Sequence, residues 1–180
     1  MKIAWFTEGG WQGKIPRNHR NMKTPVDWMC VMEATHYPIL QIHNIQEKFD
    51  LGIVVLPKKG IDVLSQYPLV ESMKKCCDKI AFMQEGPNWF FQDYSLEHQI
   101  WFYNTLMSMD WLYVHNNSDI NYYKGLTGKE CRVMNSTMVD SESFCQGNIS
   151  DKETLRDFKL DKLLGETPNI RNFISDWFIG

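Results

Sequence analysis

At 180 residues and a formal net charge of −3, the chain suits one domain, or one domain with an appendage, and carries no whole-surface positive field for nucleic acid. Its hydrophobic content of 43% and aromatic content of 13%, with 7 Trp, suffice for a thick core. No apolar run is long enough to cross a bilayer.

Read from the start, residues 2–6 form a short apolar run that empties into Thr7-Glu8-Gly9-Gly10. A basic stretch follows over residues 14–23, with Lys14, Arg17, His19, Arg20 and Lys23 and no acid. It is either a solvated loop or an anion-binding one. Thr24, Pro25 and Asp27 carry a helix-start signature, with Thr as N-cap and Pro at the first helical position, so a helix is predicted over 25–34. A second strand is predicted over 37–42. Residues 51–56 are apolar throughout, as in a central parallel strand, and end in Pro57-Lys58-Lys59-Gly60. Helix is expected over 61–77, interrupted at Pro68.

Residues 79–83 form a fourth strand running into Gln84-Glu85-Gly86-Pro87. Leu96, Ile100, Tyr103, Leu106 and Met107 recur near helical spacing, which predicts a helix over 95–107. A fifth strand, 111–115, ends in Asn116-Asn117-Ser118-Asp119. Ser118 or Asp119 then caps a helix over 120–126 that closes at Gly128. A sixth strand covers 132–134. Beyond Phe144 the composition turns polar. Leu155, Phe158, Leu160, Leu163 and Leu164 mark one amphipathic helix, and 169–178 is either a docking helix or the start of another strand.

This strand-then-helix rhythm predicts an α/β domain over residues 1–145, with a mostly parallel sheet of about six strands in a Rossmann-like three-layer α/β/α arrangement. Residues 146–180 form a linker and helical tail. Ligands of such a sheet sit in the crevice beyond the carboxyl ends of the strands. The 5 Cys are odd in number and lack metal-ligand spacing, which points to a reducing, cytoplasmic setting and no metal.

Two stretches carry a resemblance. Residues 110–128, with Val114 in an apolar strand and Leu126-Thr127-Gly128 ending the helix, resemble a segment of retaining GT-B glycosyltransferases. Residues 132–144 keep Val133, Asn135, Val139, Asp140 and Phe144 in register with the "V-I-P-N-G-V-D-x-x-x-F" motif that closes the N-terminal domain of that family. The opening Met1-Lys2-Ile3-Ala4 with Gly9-Gly10 fits its first strand and glycine loop. More narrowly, Met83-Gln84-Glu85-Gly86 is similar to the Y-Q-H-D-like loop of phage DNA α-glucosyltransferases, with Glu85 and Gly86 in place of His and Asp. The resemblance implies an acceptor-side domain that transfers a sugar from a nucleoside diphosphate sugar to a hydroxyl. It also implies a second, donor-binding domain, in the same chain or in trans. Nucleic acid is then one conceivable acceptor.

The site residues follow from both readings. Gly9, Gly10 and Gly13 shape the crevice floor or simply make a tight turn, and Lys14, Arg17 and Arg20 supply charge to a phosphate. Glu8 and Glu85 each follow a strand and are acid/base candidates, Glu85 being preferred by position in the family. Trp89 stacks on a sugar or base, or packs in the core. His115, Asn116 and Asn135 end strands five and six, where they hydrogen-bond hydroxyls or serve the backbone. The competing reading is a non-catalytic Rossmann-like module for a nucleotide or protein partner.

Overall fold

Alternation with a period of two lets each strand bury both faces at once. In β5 (Cys77–Met83), Ile80 and Phe82 enter one apolar cluster, and Ala81 and Met83 enter another on the opposite face. Leu112 and Val114 of β6 (Trp111–Val114) divide from Tyr113 in the same way. A sheet buried on both sides is the usual condition for parallel pairing. The computed structural model describes residues 1–9, 12–15, 25–57, 60–86 and 88–134, with backbone alone for 88–90.

The protein is α/β, with a mostly parallel seven-stranded sheet. The remaining strands are β1 (Ile3–Thr7), β2 (Gly13–Lys14), β3 (Thr35–Pro38), β4 (Phe49–Val55) and β7 (Cys131–Val133). Their spatial order is β2-β3-β1-β4-β5-β6-β7. Six strands are parallel, and β2 adds an antiparallel edge against β3. The chain runs from β1 outward to β3, then crosses back to β4 on the other side of β1 before moving outward again. That reversal makes the gap between β1 and β4 a topological switch point.

Among the described helices, α2 (Ile61–Ser65), α3 (Leu69–Cys76), α4 (Leu96–Ser108) and α5 (Asn117–Thr127) pack on one face, and α1 (Val26–Val31) packs on the other. The first face has an aromatic centre. Phe82 meets Phe102 and Tyr123 with ring centroids 5.9 and 5.6 Å apart, and Phe91 stacks on Phe102 at 3.7 Å. The second face gathers Trp5, Ile53, Met83 and Tyr113 under Trp28 and Met29. At the centre of the sheet Gly52 permits a close approach. A Cβ there would lie 2.5 Å from Cys77 Sγ and 2.8 Å from a Phe6 ring carbon.

Several expectations need correction. The second strand covers Thr35–Pro38 rather than 37–42. Pro38 has no N–H to donate, and beyond it the chain winds into a 3-10 helix, Ile39–Asn44. Pro68 splits 61–77 into α2 and α3 as expected, but the second helix stops at Cys76 and Cys77 already belongs to β5. The helix after β6 starts earlier than predicted, because Asn116 and not Ser118 or Asp119 is its N-cap. The Asn116 side chain accepts from the Asp119 N–H at 3.2 Å. Gly128 closes α5 in the left-handed region at φ 69°, a conformation suited to glycine. The sheet has seven strands rather than six, since two-residue β2 is too short to leave a periodic signal. The predicted elements in 155–164 and 169–178 lie outside the described residues.

Candidate functional site

The carboxyl ends of the parallel strands form one rim, and on it two neighbouring regions differ in chemistry. The first lies at the switch point. There Glu8 and Gly9 after β1, Pro38, Ile39, Leu40 and Gln41 after β3, and Pro57, Gly60, Val63 and Leu64 after β4 line an open cleft of about 410 Å³. This is within the ~300–1,000 Å³ range of small-molecule sites. Its walls are mainly aliphatic, with the Glu8 carboxylate and the Gln41 amide as polar side chains.

The Gly9 turn is anchored from beneath. Thr7 Oγ1 accepts from the Gly9 N–H at 3.2 Å and shares a 2.7 Å hydrogen bond with Nε2 of the fully buried His36. The register of β1 on β3, with Trp5 opposite His36, brings these groups to one sheet face. His36 carries no motif, and only the strand register reveals its partnership with Thr7.

The second region lies after β5 and β6. Gln84 is 2% exposed and acts as a hub. Its Nε2 donates to the Gly86 carbonyl at 2.6 Å and to Asp119 Oδ2 at 2.9 Å, and its Oε1 accepts from the His115 N–H at 3.3 Å. Asn116 Nδ2 also donates to Asp119 Oδ2, at 3.1 Å. Asp119, read from the sequence only as a helix cap, is therefore the acceptor that ties the loop after β5 to the start of α5.

His115 is half-buried beside this hub, and its Nδ1 is buried with no hydrogen-bond partner among the described residues. Burial pushes its pKa below the ordinary imidazole value, partly offset by the backbone of Glu85 and the Asp119 carboxylate. Glu85 is exposed. It stands near Tyr94, whose phenol is pushed up in pKa by burial and then by the Asp62 and Glu85 carboxylates.

Gly9, Glu85, His115 and Asn116 thus share the rim, on the ends of β1, β5 and β6. Strand spacing of ~4.8 Å puts Gly9 roughly 10 Å from the β5 end and roughly 14 Å from the β6 end. The β4 side of the cleft adjoins the β5 end, so a ligand that reaches from Gly9 to the second region must be extended.

Gly13 and Lys14 do not join the rim. They form β2, where Gly13 pairs with His36 and Lys14 with Thr35, the first residue of β3. Lys14 therefore lies toward the amino end of the sheet edge. Gly10, Arg17, Arg20 and Asn135, and the side chain of Trp89, lie outside the described residues. Among the described residues no group of three or more His, Cys, Asp or Glu is arranged to hold a metal ion, and no helix is long and apolar enough to cross a membrane. No protein family, curated protein or solved structure matches this chain.

Proposed function

We propose that this chain is a Rossmann-like, acceptor-side domain of a GT-B glycosyltransferase, working with a donor-binding domain to move a sugar from a nucleoside diphosphate sugar to a hydroxyl. The observation that carries the reading is the shared rim: an aliphatic cleft at the switch point, with Glu85 one strand and His115 and Asn116 two strands beyond β4 on the same edge. Aliphatic walls suit the body of an acceptor better than a bare phosphate. The rim polar groups suit hydroxyls. In this reading Glu85 takes the proton of the acceptor hydroxyl as its oxygen attacks the anomeric carbon and the diphosphate leaves. Asn116 and His115 orient the acceptor, with Gln84 holding both loops in place.

The mainly apolar lining also supports a plainer reading, a non-catalytic module that binds a small molecule in the same cleft. Calorimetric titration with nucleotide sugars and simple glycosides tests the binding that both readings need. Leu40→Trp, at an exposed cleft wall, should weaken binding at least tenfold with the melting temperature unchanged. Equal binding by the variant would remove the cleft from the account. Glu85→Gln, assayed with a donor domain present, should abolish turnover under the transferase reading, and retained turnover would overturn the assignment of Glu85 as base.

A further inference from the structure

The apolar stripe that marks α4 in the sequence is only partly buried. Phe102 and Leu106 enter the core. Leu96, Ile100, Tyr103 and Met107 face outward, with Leu96 73% and Ile100 52% exposed. Their spacing is four, three, four. That is the a/d spacing of a coiled-coil seam; Tyr103 and Met107 are 38% and 39% exposed, and the surface left open is buried only when a second helix lies along it. Leu126 of α5, a helix packed beside α4, is exposed as well.

We propose that this seam is a self-association surface on which α4 of a second copy of the chain packs antiparallel about a two-fold axis. Three features select a second copy. The seam is self-complementary in that sense: Leu96 falls opposite Met107, Ile100 opposite Tyr103, and the same contacts repeat on the other side, as an isologous interface requires. An acid lies at the start of α4, and a lysine, with Asp110 near it, at its end. Glu97 lies in its first turn, and the Lys129 ammonium sits at its last turn, donating to the carbonyls of Met107 and Met109 at 2.5 Å. Antiparallel pairing brings each Glu97 toward the partner's Lys129 end and opposes the helix dipoles. The seam itself contains no charged residue that a second copy would have to bury.

Size sets the strength. Thirteen residues of helix span ~20 Å. With flanking side chains such an interface sits at or below the low end of the ~1,200–2,000 Å² of stable complexes, so a reversible dimer in the ~10–100 μM range is expected.

Sedimentation equilibrium over a concentration series tests this. The weight-average mass should climb from the 21.2 kDa monomer toward twice that value. Ile100→Asp should hold the protein at monomer mass through the same series, with an unchanged circular dichroism spectrum. Glu97→Lys should weaken association several-fold, and adding Lys129→Glu should restore it. Three results would each overturn the proposal: wild type that stays monomeric to millimolar concentration, association unaffected by Ile100→Asp, or a charge swap that fails to restore what the single change removed.

Discussion

The two regions of the rim use opposite strategies. After β1, β3 and β4 the backbone leaves a cleft with aliphatic walls, where a ligand has room and few polar partners. After β5 and β6 the polar side chains are dense but occupied with one another: Gln84 binds Gly86, Asp119 and His115, and Asn116 binds Asp119. A satisfied network is rigid and costly to break, because each buried group loses its partner as well as its bond. An aliphatic cleft tolerates exchange of its walls. The comparison teaches that one region offers volume and the other offers fixed geometry, and a ligand must bridge them to use both.

The largest expected effect undercuts the fixed region from below. Phe82→Ala removes the ring between Phe102 and Tyr123 and should cost about 3–5 kcal/mol, read from a denaturant melt. Amide exchange should then quicken in β5 and β6 well before β1 and β3. Uniform quickening along the sheet would break the distinction between the two regions.

A smaller loss is expected from Gln84→Leu, which leaves the His115 N–H, the Gly86 carbonyl and Asp119 each without that partner. About 1–3 kcal/mol should be lost, with ligand binding in the cleft unchanged. A loss of cleft binding equal to that of Leu40→Trp would show the two regions to be one unit.

The smallest effect is a pH dependence. Burial holds the folded pKa of His115 below its unfolded value near 6.5, so the unfolded chain binds more protons in the window just below that value. Stability from this group is therefore complete above about pH 6.5 and falls as the pH drops toward the folded pKa. His115→Gln should flatten the wild-type slope between pH 5 and pH 7. An identical slope in the variant would remove His115 from the fixed region.

The central strands were legible because burial on both faces leaves continuous apolar runs, as in 51–56 and 79–83. Helix ends with a chemical marker were legible too. Ser95 caps α4 by accepting from the His98 N–H, and Gly128 ends α5. Glu85, His115 and Asn116 were found as strand-end residues because parallel strands share one carboxyl edge. Lys14 was read as part of a loop, since a two-residue edge strand has no period to detect. Leu96, Ile100, Tyr103, Leu106 and Met107 were read only as a helical stripe, and the structure buries Leu106 and exposes the other four. Helical spacing identifies a stripe but not which of two stripes faces the sheet.

Local sequence thus determined the alternation of elements, the parallel sheet and the residues at its carboxyl edge, because period, capping and turn chemistry act over a few residues. Only the tertiary structure decided the crossing between β1 and β4 that opens the cleft, the Gln84 hub and the exposed seam of α4. Those depend on which strands become neighbours, and contacts between residues some thirty positions apart, such as Gln84 with Asp119, leave no trace in the spacing along the chain.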